Sequence, residues 1–362
     1  MNKKIITKAL LVGMSLMMLT GCGKKKKEKP TTEAPTTTEA TTEQTTKVTT
    51  EATTEDAHHG LVQSDLNGEW VKPEVAKKRP IAVMINNIDV SWPQSSISKA
   101  DVIYEMTAEG GITRLLAVYS DYSNLEKIGS VRSARQYFVM KSVEHDAILV
   151  HVGGSTWGKE AIANNNVDDI DGLDETYFYR TDDREAPHNC YISTKLIDES
   201  IDYHGYERDH SSSYKNVFDF NEEDTPLASG EDCNKLTVRY NSFTIPYFEY
   251  DKDKKVYKRF EYDTAHIDDT NNEQVTCKNI FVLFTTVSIM PDGKYSDVEL
   301  NGSGEGYYAT DGKIVHIKWE RSGDDSVTRF YTDDGKAIKL NPGKTNVEYF
   351  DVEDSENVTW EK

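Results

Sequence analysis

Two short stretches hold the side chains with most chemistry to offer. Gly129-Ser130-Val131-Arg132-Ser133-Ala134-Arg135 sets two arginines three residues apart, just ahead of a segment with helical periodicity. Free amides at a helix N-terminus favour an anion. Arginines there oppose the helix dipole unless an acid or a bound anion compensates, and their planar forks suit phosphate or carboxylate. The spacing predicts Arg132 and Arg135 on one side of the first turn, with Ser133 between them. The second stretch is Glu105-Met106-Thr107-Ala108-Glu109-Gly110-Gly111-Ile112-Thr113-Arg114. It leaves one strand and enters the next through paired glycines, which permit a tight backbone and close approach of a ligand. Glu105 and Glu109 can act as acid and base, or hold a metal. They can equally be the counter-ions of Arg114, Arg132 and Arg135, and both readings stay open at this level.

Further cations follow. Gly153-Gly154-Ser155 is a second helix start, reached from a strand that carries His151. The loop from Tyr179 to Asn189 holds Arg180, Arg184 and His188, and loops on a rigid sheet commonly bear binding residues. If they converge, Arg114, Arg132, Ser133, Arg135, His151, Gly153, Gly154, Ser155, Arg180, Arg184 and His188 line a positive pocket for an anionic ligand. If they do not, they are separate surface ion pairs. Cys190 stands two residues after His188, a spacing too weak to make it a nucleophile. Cys233 and Cys277 either pair or remain buried thiols. There is no CxxC and no Cys/His spacing for zinc, so no metal set is read, and the cofactor stays unknown.

The elements that must position these residues are legible in outline. Ile81-Ala82-Val83-Met84-Ile85, Val102 to Met106, Leu115 to Tyr119 and Ala147 to Val152 are dense apolar runs. Such runs fit central strands buried on both faces. Ser133 to Asp146, Ser155 to Asn164 and Ser193 to Tyr203 read as helices, the last two begun by a serine cap and the last stopped by Gly205. Residues 66–207 are therefore expected to form an α/β or α+β domain, a mixed sheet covered by helices. Residues 208–235 are polar and acidic and read as a connection. Residues 236–358 alternate apolar and polar in runs such as Val256 to Phe260, with Asp-Gly turns between them. They are expected to form a mainly antiparallel β domain, a sandwich or partly closed barrel.

The N-terminus predicts where the protein works. Lys3, Lys4 and Lys8 precede a short apolar core, and Leu19-Thr20-Gly21-Cys22 closes it. This is the order of a secretory signal over residues 1–21 followed by a lipidated cysteine, Cys22. The apolar run is too short to remain as a membrane span, and Lys24 to Lys27 would face lipid headgroups. Threonine-rich repeats then predict a disordered stalk, with residues 22–65 as its outer bounds. The expected place is the outer face of the cytoplasmic membrane, with the lipid anchor as the membrane contact. With 62 acidic and 42 basic residues, the formal net charge is −20. That excludes nucleic acid as a general electrostatic partner and confines any anion site to a local basic pocket.

Five motifs taken together carry a family resemblance. They are Ile85-Asn86-Asn87, Glu109 to Arg114, Ile128 to Arg135, His151 to Ser155 and Ala186-Pro187-His188-Asn189, joined late in the chain by Leu340-Asn341-Pro342-Gly343-Lys344-Thr345. In this set the chain resembles the YerB family of bacterial lipoproteins, from about Arg79 to Phe350. The resemblance implies a lipid-anchored secreted protein with an N-terminal α/β domain and a C-terminal domain, and supplies no activity. The arginine-rich turn is also loosely similar to that of wall-polymer ligases of the LytR type, which hold polyprenyl pyrophosphate with arginines. Their other signature residues are not evident. Three functions follow as expectations: binding of a phosphorylated or carbohydrate-linked anion such as a cell-wall precursor or polymer; an enzyme of wall-polymer metabolism with Glu105 or Glu109 as base or metal ligand; or a scaffold for other envelope proteins.

Overall fold

Four unbroken apolar runs become the spine of the molecule. Ile81–Asn87, Val102–Thr107, Thr113–Tyr119 and Ile148–His151 are strands, and all but the last residue of the second run are buried. The computed structural model describes residues 58–174 and 176–362. The signal segment, Cys22, Lys24 to Lys27 and the threonine repeats lie outside the described residues. Regular structure begins before Leu66. Val62–Gln63 pairs antiparallel with Trp70–Val71, and the His58 ring stacks on Trp70 at 3.9 Å.

The spine belongs to an eleven-stranded sheet that runs through both halves of the chain. Its order from one edge is Glu231–Asp232, Lys313–Arg321, Gly302–Thr310, Asn279–Thr285, Thr345–Asp351, Val102–Thr107, Thr113–Tyr119, Ile81–Asn87, Ile148–His151 and Asp169–Asp171. Arg329–Thr332 branches from Lys313–Arg321. Neighbours are parallel on both sides of Thr345–Asp351 and from Ile81–Asn87 to Asp169–Asp171, and antiparallel elsewhere. The N-terminal part is thus a mixed sheet with few helices.

One face of this sheet is a continuous core. Leu116, Tyr104, Phe281, Tyr308 and Trp319 share it with Tyr137 and Phe138 of helix Gln136–Glu144. The other face is covered in two pieces. Helix Thr194–His204 buries Ile197 and Ile201 against the first strands. A six-stranded antiparallel sheet in the C-terminal region packs Leu236, Val238, Phe248 and Tyr257 on Ile280, Val282 and Phe284. Among the described residues no helix is long and apolar enough to cross a membrane.

Candidate functional site

The arginine-bearing stretch does not enter the helix where its spacing suggests. Arg132 N donates to Met84 O at 2.9 Å, Val152 N donates to Arg132 O at 3.1 Å, and Ala134 N donates to Gly153 O at 2.8 Å. These bonds hold the backbone extended between the strand Ile81–Asn87 and the end of the strand Ile148–His151, so the helix begins only at Gln136 and Arg135 is its N-cap residue. Arg132 and Arg135 therefore do not share a first helical turn. Arg132 lies within the stretch that those bonds hold extended, and Arg135 follows it.

Glu109 takes two of the arginines. Its Oε1 accepts from Arg114 Nη2 at 2.8 Å and Arg135 Nη2 at 2.6 Å, and its Oε2 accepts from Arg135 Nε at 3.1 Å. Both guanidinium groups also donate to the Ser133 carbonyl, at 2.8 and 3.4 Å, and Arg135 lies over the Tyr295 ring. Gly110 and Gly111, both at positive φ, make the turn that aims Glu109 inward. Burial alone would raise the Glu109 pKa, but Arg114 and Arg135 outweigh it and bring it to about 2. Burial and the charge of Arg135 lower Arg114 only to about 10, which leaves it protonated at neutral pH.

The neighbouring cations are not compensated in this way. Arg132 Nη1 reaches only the Pro187 carbonyl, at 3.3 Å, and its Nε is buried with no hydrogen-bond acceptor. Burial lowers the Arg132 pKa, with Arg135 and Arg180 adding to it and Glu109 opposing. Arg180 Nη1 donates to Asn189 Oδ1 at 2.9 Å. Arg184 donates to the Ser91 and Pro93 carbonyls at 2.8 and 2.7 Å and to Tyr191 Oη at 3.0 Å. Among the described residues no carboxylate lies in ion-pair range of Arg132, Arg180 or Arg184. Asn86 Nδ2 sits 2.8 Å from His188 Nδ1. An amide nitrogen can only donate, so the ring accepts there and keeps its proton on Nε2. Burial and the charges of Arg132 and Arg184 lower the His188 pKa, in agreement.

The structure does not bring the remaining candidates into this group. His151 is buried, with Nδ1 on the Gly153 carbonyl and Nε2 on Asp169 Oδ2, both at 2.9 Å. Both acceptors favour the doubly protonated ring, and they outweigh burial to raise its pKa. Gly153 N donates to Asp171 Oδ1 at 2.6 Å, and a Cβ on Gly153 would meet Leu173 at 2.7 Å. Gly154 packs on Ala134, and Ser155 Oγ accepts from Gly158 N at 3.0 Å as a helix cap. These four residues shape a helix start. Ser133 contributes its carbonyl. Cys190, Cys233 and Cys277 are buried free thiols, and burial raises the Cys190 pKa, away from a nucleophilic thiolate.

Glu105 belongs to a second polar cluster that the sequence reading missed. Arg259 Nη2 donates to Glu105 Oε2 at 2.6 Å and to Glu261 Oε2 at 2.7 Å. Asn87 Nδ2 donates to Thr113 Oγ1 at 2.8 Å and to Glu105 Oε1 and Glu261 Oε2, both at 3.1 Å. Glu348 stands opposite Glu105 in the parallel register and accepts from Tyr240 Oη at 2.8 Å. All three glutamates and Arg259 are fully buried. Burial, then the charge of Glu105, raises the pKa of Glu261 and of Glu348. Arg259 Nη1 also donates to His266 Nδ1 at 2.6 Å, so the neutral ring gives its Nε2 proton to Gln94 Oε1 at 2.6 Å. Nothing local signalled this cluster, since Asn87 and Glu105 stand on strands that Thr113–Tyr119 separates in the sheet. Among the described residues no group of three or more His, Cys, Asp or Glu is arranged to hold a metal.

The chain matches the model described as "Protein of unknown function (DUF3048) N-terminal domain" over residues 66–207. It matches the corresponding "Protein of unknown function (DUF3048) C-terminal domain" over residues 236–347. It is 31% identical over 287 residues to "Putative lipoprotein YerB" of Bacillus subtilis (strain 168), covering 78% of this chain and 85% of that protein. It is similar to the crystal structure of the YerB protein from Bacillus subtilis, with a TM-score of 0.74 and 30% identity, over 83% of this chain and 100% of that one.

Proposed function

The chain belongs to the DUF3048 family, a family of unknown function, and from that premise we propose that it is a lipid-anchored envelope protein that binds an anionic ligand at Arg132, Arg180, Arg184 and His188. The ligand class is phosphorylated or carbohydrate-linked, such as a wall precursor. The observation that carries this reading is the excess of cations. One carboxylate, Glu109, neutralises Arg114 and Arg135, and none within ion-pair range serves Arg132, Arg180 or Arg184. In a chain of net charge −20, such a cluster of cations would attract an anion that the rest of the surface repels. The anchor is supported by Leu19-Thr20-Gly21-Cys22 and by the lipoprotein name of the Bacillus relative. Binding is favoured over proton transfer because a carboxylate held at about 2 is a weak base at neutral pH.

The test is calorimetric titration of the mature protein with inorganic pyrophosphate. The wild type is expected to bind, and Arg132→Ala with Arg180→Ala to lose about tenfold or more in affinity, since guanidinium–phosphate pairs are strong. A wild type that binds no pyrophosphate, or a double variant that binds it equally well, overturns the reading. The anchor is tested separately. Cys22→Ala should abolish incorporation of labelled fatty acid, and continued labelling would refute the assignment.

A further inference from the structure

The six-stranded sheet does not cover the whole of the main-sheet face beneath it. Its edge strand, Val358–Glu361, has no neighbour on its outer side among the described residues. Beyond that edge the main sheet continues through Gly302–Thr310 and Lys313–Arg321. Ser303, Glu305 and Tyr307 alternate onto one face there, and Tyr307 pairs in register with His316. Trp360, Tyr307 and His316 form a ridge of rings. Tyr307 lies 5.0 Å from Trp360 and 5.9 Å from His316, edge to face. A cavity of about 770 Å³ opens on one side of this ridge and one of about 750 Å³ on the other, and all three rings line both.

Each cavity has the size of a small-ligand site, and their chemistry narrows the class. The rings offer apolar surface with polar tips. Glu299, Glu305 and Glu356 line the first cavity, and Asp333 and Asp334 the second. The basic groups lining them are engaged. His316 sits between Asp333 at 2.7 Å and Glu305 at 3.7 Å, and Lys336 pairs with Asp334 at 2.7 Å. Among the described residues no cation lies in ion-pair range of Glu299 or Glu356. An acidic polymer would therefore be repelled. Ser303 and Ser355 line the first cavity as uncharged hydroxyls, which both donate and accept. Flat ring surface, carboxylate acceptors and hydroxyls together match a sugar, whose own hydroxyls donate and whose ring carbons present an apolar face.

We propose that this cleft is a second binding site, for a saccharide chain that carries no acidic groups. It lies on the C-terminal half of the main sheet and does not depend on the anion-binding reading of the arginine cluster. A basic peptide laid along the free edge of Val358–Glu361 is the competing occupant; it would satisfy the carboxylates, whereas the ring ridge of Tyr307 and Trp360 offers the flat apolar surface that a sugar ring covers.

The experiment titrates the mature protein with chitotetraose, with its deacetylated form and with tetralysine, followed by calorimetry and tryptophan fluorescence. The neutral or the amine-bearing tetrasaccharide is expected to bind. Trp360→Ala is expected to weaken it about tenfold or more, as for a central aromatic contact. Glu356→Gln, at an exposed position that leaves the fold intact, is expected to weaken it severalfold, and it decides the outcome if Trp360→Ala melts early. Absence of binding by both saccharides overturns the proposal. So does affinity unchanged in Glu356→Gln and in a folded Trp360→Ala, or tighter binding of tetralysine than of either saccharide.

Discussion

Glu109 neutralises two buried arginines with one carboxylate. Which two depends on the turn at Gly110 and Gly111, where both residues take positive φ. That turn delivers Glu109 to Arg114 and Arg135 and leaves Arg132 outside. Glu109 falls from 4.5 to about 2 on folding, which corresponds to about 3 kcal/mol of stability. The sign follows from a lowered pKa: this stability is present above the ordinary carboxylate value and is lost as pH falls through the folded one. Glu109→Gln should therefore lower the denaturant midpoint at neutral pH by an amount equivalent to about 3 kcal/mol, since Arg114 and Arg135 stay buried without a counter-charge. It should also flatten the acid limb between about pH 4.5 and about pH 2. A wild-type acid limb in the variant would refute the clamp. Arg132→Ala should instead change stability by less than about 0.5 kcal/mol, because it breaks no ion pair.

Single elements were legible where local chemistry decides them. Ser155 and Ser193 both cap the helices they were expected to begin, and Gly205 ends the second in the left-handed conformation. Ser155→Ala should cost about 1 kcal/mol by loss of that cap, read as a fall in melting midpoint. The run from Val256 to Glu261 does alternate, yet its buried face is Tyr257, Arg259 and Glu261, while Phe260 stays half-exposed against Tyr247. Period is a local property. Which face turns inward depended here on Glu105 and Asn87, more than 150 residues away in the chain. Asp268 makes the same point in a loop. It is buried and accepts from Ser96 N, Ser98 N, Ser98 Oγ, Thr270 N and Thr270 Oγ1, which ties the segment after Gln94 to the six-stranded sheet region. Asp268→Ala should leave the buried donors of Ser96 and Ser98 without an acceptor and cost about 2 to 4 kcal/mol, measured by equilibrium unfolding. A loss below about 1 kcal/mol would mean that water replaces the carboxylate.

At the scale of the whole molecule, the least legible feature is the strand Thr345–Asp351, inserted between Asn279–Thr285 and Val102–Thr107. Its residues read as an ordinary late strand; nothing local says that it pairs with the first third of the chain. That pairing sets Glu348 opposite Glu105, and the six-stranded sheet adds Glu261 with a single arginine, Arg259. Three buried carboxylates then stand around one guanidinium that pairs with only two of them, Glu105 and Glu261. Burial and the Glu105 charge raise both Glu261 and Glu348 above the ordinary carboxylate value, which favours holding protons there. The consequence is opposite in sign to that of Glu109. Raised groups stabilise the fold fully below their unfolded pKa, and the contribution is lost as pH climbs through their folded values. Stability should therefore decline from about pH 5 towards about pH 8, over a range where exposed carboxylates are silent. Glu348→Gln keeps an acceptor for Tyr240 and removes the proton that must be lost. It should stabilise the protein by about 1 to 2 kcal/mol near pH 8, with little change near pH 5. Denaturant midpoints for both proteins across this range decide the matter. A wild type whose stability is flat, or a variant that parallels it at every pH, would show that the cluster holds no such proton. It would then be an ion-pair network fully ionised at the junction of the two halves of the sheet.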